Sequence, residues 1–309
     1  MPSTGEIREQ VAIETRRRQK LAVPAFGGGF LYLLSAIIIT ETLNAAPTVG
    51  LVQGLTPALS GVANPAVSPR TAEVKFVSHH AFTLIAGGTL AAIAFVMLTL
   101  ILLLLLDATR FRRPEMWRYA RPLVLGGGIA VAIVSIGRQV ASALEAHSFA
   151  VGHDFSIHAA ERALSTGTAN VLADYLGLIA TLALTVGMIA TMLAALRVGL
   201  IVRWMSIVGM FAAVLILIPI GGSELEVVQA FWMVMMGILY IGKWPNGEPP
   251  AWAAGEARPW PSQAARSRGR ASGASSTPSA AGAGAVPAPV LPAAGASSRK
   301  RRRKRGGRG

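Results

Sequence analysis

The 309-residue sequence contains no cysteine, and only 14% of its residues are charged. The lack of cysteine excludes disulfide bonds, thiolate catalysis and cysteine-ligated metal sites. The shortage of charge is unlike a soluble globular protein, in which about 25% of the residues are charged. The sequence also contains no recognisable catalytic, nucleotide-binding or cofactor motif. The glycine triplet Gly27–Gly29 is not a phosphate loop, because it lacks the following Lys and Ser/Thr. The sequence therefore indicates no cofactor and favours a protein that is not an enzyme.

Hydrophobic residues make up 52% of the chain and are concentrated in six runs that are almost free of charge. A helix of about 20 apolar residues crosses the roughly 30 Å hydrocarbon core of a bilayer. We therefore predict an all-α membrane protein, a bundle of six transmembrane helices. The fifth run is the weakest, because Pro219 interrupts it. The runs are Phe26–Leu43, Ala81–Leu106, Leu123–Leu144, Val171–Leu196, Trp204–Ile220 and Val227–Ile241.

The distribution of Lys and Arg predicts the orientation of the bundle, because cytoplasmic loops carry an excess of these residues. With the N-terminus in the cytoplasm, 25 of the 29 Lys and Arg fall on the cytoplasmic side. Only Arg70, Lys75 and Arg162 then fall outside. We expect both termini in the cytoplasm and a location in the cell membrane.

Composition divides the chain into four parts. Residues 1–21 form a cytoplasmic N-terminal segment, and residues 22–242 form the transmembrane domain, whose first run is too long for a cleaved signal peptide. Residues 243–261 are rich in Trp and Pro, and two interpretations remain open: a segment along the inner headgroup layer, or an extended linker. Residues 262–309 form a basic low-complexity tail that we expect to be disordered. The segments 44–80 and 145–170 are expected to form a structured outer cap.

The tail ends in a block of seven consecutive basic residues. Three interpretations remain open: a solvated tail that reinforces the topology, contact with anionic lipid headgroups, or non-specific contact with nucleic acid. Specific nucleic-acid binding is not indicated, because the block has no aromatic residue for base stacking. The expected partner is the lipid bilayer, and an oligomer remains open. The block consists of Arg299, Lys300, Arg301, Arg302, Arg303, Lys304 and Arg305.

Four polar residues fall at a similar level in the outer halves of four predicted helices: Glu41, Arg138, Asp174 and Gln229. A charged residue in hydrocarbon is costly unless it is paired or hydrated. We therefore expect an ion pair between Arg138 and Asp174, Glu41 or both, facing the bundle interior. Such a cluster is either a structural connection between helices or a polar site open to the outside, and snorkelling to the interface is a third interpretation.

All five histidines fall on the predicted outer side. Three of them, His147, His153 and His158, lie near carboxylates in the second outer segment, and this combination is able to hold a divalent metal. Their spacing matches no firm metal-binding template, because His153 and His158 are five residues apart rather than four. A metal site, a pH sensor and ordinary loop histidines therefore remain alternatives.

Four segments resemble those of uncharacterised multi-pass membrane proteins of actinobacterial type. The resemblance covers most of Ala22–Gln263 but not the tail. It implies a bacterial cytoplasmic membrane, and it brings no activity or site residue with it. The segments are Pro-Thr-Val-Gly-Leu-Val-Gln-Gly-Leu from Pro47, Asp-Ala-Thr-Arg-Phe-Arg-Arg-Pro from Asp107, Arg-Val-Gly-Leu from Arg197, and Trp-Pro-Asn-Gly-Glu-Pro-Pro-Ala-Trp from Trp244.

Three functional hypotheses follow. The first is a non-enzymatic structural, regulatory or assembly component of the membrane. The second is a transporter or permease-like protein that uses the outer polar layer, although no inverted repeat relates the two halves of the chain. The third is a membrane-embedded metal-dependent hydrolase that uses the outer histidines and carboxylates.

Overall fold

The computed structural model describes residues 4–50, 67–217, 226–245, 247–258 and 260. Within these ranges every regular element is helical. The chain divides into two units, Met1–Trp260 and Pro261–Gly309. The basic block Arg299–Arg305, the predicted disorder of 262–309 and Pro219 all lie outside the described residues.

Three of the helix ends lie at residues suited to those positions. Ser156 caps the short fifth helix, where its hydroxyl accepts a hydrogen bond of 3.3 Å from the Ala159 backbone N–H. Gly199 and Gly255 end the sixth and ninth helices with φ of 88° and 67°, values that glycine adopts without steric cost. A π-helical turn, Arg162–Thr166, joins the fifth helix to the sixth. The helices are α1 (Thr4–Asn44), α2 (Thr71–His79), α3 (Ala81–Arg112), α4 (Ala120–Val151), α5 (Ile157–Glu161), α6 (Thr168–Val198), α7 (Arg203–Leu217), α8 (Glu226–Ile241) and α9 (Pro250–Ala254).

Four helical segments are long and apolar enough to cross a membrane: Thr4–Asn44, Ala81–Arg112, Ala120–Val151 and Ile157–Val198. Many large apolar side chains on these segments point away from the protein, and they are suited to contact with lipid. The chain is therefore a helical protein with the features of a membrane protein. The helices α7 and α8 are apolar but have only 15 and 16 described residues, so the count of six spans stays a prediction.

Consecutive long helices pack antiparallel, and small residues bring them close. A Cβ atom placed on Gly127 of α4 would lie 2.5 Å from the Leu184 backbone nitrogen of α6. A Cβ atom on Gly237 of α8 would lie 2.9 Å from the Phe26 ring of α1, so α8 also packs against the first helix. Glycine permits such approaches because it has no side chain. The helix α4 runs unbroken through Gly126–Gly128, and of these three glycines Gly127 and Gly128 serve close packing against α6 and α3.

Buried side chains also donate hydrogen bonds from one helix to the backbone of another. In a bundle surrounded by lipid, such bonds contribute to association that the hydrophobic effect does not drive. The donor and acceptor atoms are Ser35 Oγ to Gly87 O (2.8 Å), Thr185 Oγ1 to Ala213 O (2.9 Å), Ser206 Oγ to Met192 O (3.1 Å), Trp232 Nε1 to Met205 O (3.2 Å) and Tyr240 Oη to Ile101 O (2.8 Å).

The two ends of the bundle carry different residues. We call the end at which α3 ends and α4 begins the arginine end, and the end at which α1 ends and α3 begins the histidine end. The helices α3, α4, α6, α7 and α8 begin within a few residues of the predicted runs, whereas α1 begins at Thr4, well before the predicted Phe26. The first part of α1 therefore extends the bundle at the arginine end.

Candidate functional site

The predicted ion pair between α4 and α6 is present. Arg138 Nη2 lies 2.9 Å from Asp174 Oδ1. The side chains are 60% and 52% exposed, so the pair lies on the flank of the bundle, and the expectation that it faces the interior is wrong. The reason is the rotation of the two helices: the small residues of α4 and α6, such as Gly127, occupy the packed face and leave this pair outside it.

The other two members of the predicted polar cluster are separate from this pair. Glu41 is exposed near the end of α1 and forms no ion pair within the described ranges. Gln229 on α8 is only 2% exposed, and neither its Oε1 nor its Nε2 has a hydrogen-bond partner among the described residues. The four residues therefore do not form one cluster.

The histidines are distributed along the histidine end. His147, His153 and His158 are all exposed. No group of three or more His, Asp or Glu that could hold a metal ion occurs in the part of the chain that the structure describes. A nearby carboxylate, Asp154, has its pKa lowered from the ordinary value by hydrogen bonds from Ser156. These contacts are those of a polar surface loop, and they give no support to the metal hypothesis.

A buried ion pair that the sequence analysis did not predict lies at the arginine end. Arg112, in the last turn of α3, donates hydrogen bonds of 3.0 Å and 2.8 Å to the two carboxylate oxygens of Glu14 on α1. The side chains are 0% and 4% exposed. The Arg112 Nε also donates a hydrogen bond of 3.0 Å to the Ala251 carbonyl of α9. One guanidinium thus connects α1, α3 and α9.

Trp252 of α9 completes this arrangement. Its indole N–H donates a hydrogen bond of 2.9 Å to the Leu200 carbonyl, and the residue is 3% exposed. The guanidinium carbons of Arg18 and Arg112 lie 4.8 Å and 5.5 Å from its ring centroids, within the range of cation–π attraction. Arg18 also forms an ion pair with Glu248. We call Glu14, Arg18, Arg112, Glu248 and Trp252 the arginine-end cluster.

The segment after α8 packs on the bundle over much of its length. Trp244 is 8% exposed and stacks on Trp204, with ring centroids 5.8 Å apart. A Cβ atom on Gly255 would lie 2.5 Å from Ile7 Cγ2, and the Arg258 backbone N–H donates a hydrogen bond of 3.0 Å to the Val198 carbonyl. These contacts contradict an extended linker, because the rings and backbone of these described residues are held by the protein itself, and a position along the inner headgroup layer stays a prediction.

One signal for the cluster was available in the sequence. Glu14 and Arg18 are four residues apart, so a helix places them on the same face. The sequence predicts a separate cytoplasmic segment, 1–21, whose basic residues indicate topology, and the structure shows that this segment continues the first helix from Thr4. The partner Arg112 is one of five arginines between the second and third predicted runs, and only the fold distinguishes it from the others.

A crevice of about 230 Å³ lies at the histidine end between α1, α3, α4 and the first residue of α8. Its polar lining residues are Tyr32, Ser35, Thr40, Ser135, Arg138, Gln139 and Glu226. Apart from Arg138, none of these belongs to the predicted polar cluster. The crevice is therefore a second candidate site, at the opposite end of the bundle from the arginine-end cluster.

Comparisons of the chain with protein-family models, with curated proteins and with solved structures found no match. The resemblance to multi-pass membrane proteins of actinobacterial type therefore stays a prediction.

Proposed function

We propose that this protein is a non-enzymatic membrane component with six transmembrane helices, which holds its basic tail at the cytoplasmic face of the cell membrane. The four long apolar segments support the membrane location. The shorter α7 and α8 support six spans, because Gly209 of α7 packs against Trp232 of α8 and Gly29 of α1 packs against Ala230 of α8. The excess of cations at the arginine end supports a cytoplasmic position for that end.

The observation that carries this proposal is the arginine-end cluster. It joins α1 to the short helix α9, the last helix that the structure describes before the tail, through the buried Arg112 guanidinium and the Trp252 ring. Buried charges without partners are costly, and here each is matched by an opposite charge or a ring. The segment from which the tail emerges therefore has a fixed position. This is the requirement for an anchor or assembly component rather than for a catalyst.

The packing of the arginine half of the bundle supports the same proposal. Ile101, Leu102, Met192, Leu200 and Ile201 are all 0% exposed. A transport route needs polar or hydrated surface across the full thickness of the membrane, and these apolar side chains fill the space between α3, α6 and α7.

A transporter or permease-like protein with an outward-facing polar site is the second candidate. The crevice at the histidine end favours it, because two charged residues line a space of about 230 Å³ there. An outward-facing transporter also closes its opposite end, so the packed arginine half is compatible with one state of a transport cycle.

Single-cysteine labelling distinguishes the two candidates. Because the chain has no cysteine, each introduced thiol is the only one in the protein. Leu102→Cys and Met192→Cys place thiols in the packed half, whereas Glu115→Cys places one on an exposed loop at the same end. The probe is a membrane-impermeant maleimide, applied to proteoliposomes over a time course of hours. We expect rapid labelling of Glu115→Cys and none of the other two until the protein is denatured. Labelling of either core thiol in the native protein would show that water reaches the packed half of the bundle. This result would contradict the anchor function and support the transporter.

A second measurement tests the tail. Ser297→Cys carries a fluorescent label next to the basic block, and the protein is reconstituted in phosphatidylcholine with or without phosphatidylglycerol. Each cation near an anionic surface contributes about 1 kcal/mol to membrane binding. We therefore expect the label to report membrane contact only when phosphatidylglycerol is present, and we expect high salt to abolish this contact. The same signal in both lipids would contradict an electrostatic contact of the tail with the membrane.

A further inference from the structure

The crevice at the histidine end has walls that are held together by close contacts. The Ser35 hydroxyl of α1 donates a hydrogen bond of 2.8 Å to the Gly87 carbonyl of α3. A Cβ atom on Gly88 of α3 would lie 2.7 Å from both Gln139 Cγ and the Ser135 carbonyl of α4. The three helices are therefore in direct contact beside the crevice, and its shape is set by helix packing.

Two opposite charges line this crevice without forming an ion pair with each other. Arg138 contributes the positive charge, and its contact with Asp174 uses Nη2, on a side chain that is 60% exposed. Glu226 contributes the negative charge, and within the described ranges its carboxylate has no ion-pair or hydrogen-bond partner. A carboxylate that is partly removed from water favours a cationic partner. The crevice therefore presents separate positions for a cation and an anion.

The remaining lining residues fit the organic part of a small ligand. Tyr32 and Phe95 pack edge to face, with ring centroids 5.4 Å apart, and both line the crevice. Aromatic rings attract ammonium groups and also provide apolar contact. The rest of the wall is mostly alanine, isoleucine and hydroxyl side chains.

The volume limits the size of the ligand. The volume of about 230 Å³ is smaller than the roughly 300–1,000 Å³ of pockets that hold drug-sized ligands, so the ligand is a small molecule or a small group of a larger one. We propose that this crevice binds a small zwitterion, whose ammonium group pairs with Glu226 and whose anionic oxygens bind Arg138. Such a group is either the aminoethyl phosphate headgroup of a lipid or a free molecule of the same chemistry. The inference does not depend on the anchor function proposed above, because it uses none of the residues of the arginine-end cluster, but it uses the crevice that favours the transporter candidate.

Binding measurements on the full-length protein test this proposal with two probes. Free O-phosphoethanolamine is titrated against the detergent-solubilised protein by calorimetry. Phosphatidylethanolamine is offered in mixed micelles with phosphatidylglycerol, and the retained lipid is counted by native mass spectrometry. Binding of the lipid alone identifies a headgroup site, and binding of the free molecule alone identifies a site for a soluble ligand. Ethanolamine, inorganic phosphate and phosphatidylglycerol each lack one of the two charged groups, and we expect them to bind at least about tenfold more weakly.

Variants assign the two charges. Glu226→Gln and Arg138→Gln each remove one charge, and we expect each to weaken zwitterion binding at least about tenfold, because a hydrogen bond to a charged group is lost. Glu41→Gln removes an exposed carboxylate of α1 outside the crevice and is expected to bind like the wild type. Asp174→Asn leaves Arg138 in place and is expected to retain binding. The proposal is overturned if neither probe binds, if the single-charge probes bind equally well, or if Glu226→Gln and Arg138→Gln bind like the wild type.

Discussion

The two ends of the bundle each contain an arginine–carboxylate pair, and the pairs have almost the same length. Arg112 and Glu14 approach to 2.8 Å at the arginine end, and Arg138 and Asp174 approach to 2.9 Å at the histidine end. The first pair is 0% and 4% exposed, whereas the second is 60% and 52% exposed. Distance therefore does not distinguish them, and burial does. The comparison indicates that ionic contacts hold the arginine end together, whereas the charges of the exposed pair at the histidine end remain accessible to other binding partners.

The largest expected effect follows from removing one member of the buried pair. Arg112→Ala leaves the Glu14 carboxylate buried without its partner, and breaking such a pair costs about 3–5 kcal/mol. We expect this loss in the free energy of unfolding, measured by denaturant titration in detergent. The double variant Glu14→Gln/Arg112→Met removes both charges and is expected to regain part of the loss. Equal stability of Arg112→Ala and the wild type would contradict the burial of the pair.

The Trp252 ring is the second point at which the arginine end can be tested. Trp252→Ala removes the ring that the Arg18 and Arg112 guanidinium groups face, and a buried Trp→Ala change costs about 3–5 kcal/mol where the site cannot collapse. Because α9 lies at the arginine end and packs on the outside of the long helices, we expect a local effect. Amide hydrogen exchange should be faster in residues 247–258 and change little in α4 and α6. Trp117→Ala, at a residue that is 45% exposed, is the matched control. Uniform acceleration of exchange throughout the bundle would show instead that the ring supports the whole fold.

Glycine substitutions compare the packing of α4 along its length. Gly127→Ala places a Cβ atom 2.5 Å from the Leu184 backbone nitrogen, so α4 and α6 must move apart, and overpacking of this kind costs about 1–3 kcal/mol. Gly126 and Gly137 have no atom within 4 Å of the equivalent position. Alanine at either residue is expected to be neutral or stabilising by up to about 1 kcal/mol, since alanine favours helix. The measurement is again the unfolding free energy in detergent, and equal losses at Gly126 and Gly127 would contradict this packing.

The positions of the helices could be predicted from the sequence, but much of what connects them could not. Runs almost free of charge identified the approximate starts of α3, α4, α6, α7 and α8, because a bilayer requires apolar residues at every turn. The pairing of Arg138 with Asp174 followed from their similar level in neighbouring helices. Its outward direction did not follow, because the rotation of a helix depends on which residues its neighbours contact. The arginine-end cluster was missed for a different reason: Glu14, Arg18 and Arg112 look like ordinary cytoplasmic charges until the fold buries them.

The smallest expected effect concerns the exposed pair at the histidine end. An ion pair that water reaches contributes about 0–1 kcal/mol, because its charges are already solvated and its side chains lose entropy on pairing. Arg138 and Asp174 lie in the outer parts of their predicted runs, where snorkelling to the interface gives them this access to water. Arg138→Ala is therefore expected to lower the unfolding free energy by no more than about 1 kcal/mol, and Arg138→Lys, which keeps the charge, by less. Raising the salt concentration should remove the difference between the two variants, since exposed charges are screened. A loss near that of Arg112→Ala would mean that Arg138 is buried in the membrane-embedded protein, for example against a second copy of the chain. In that case the two ends would be held together in the same way, and the contrast between them would not hold.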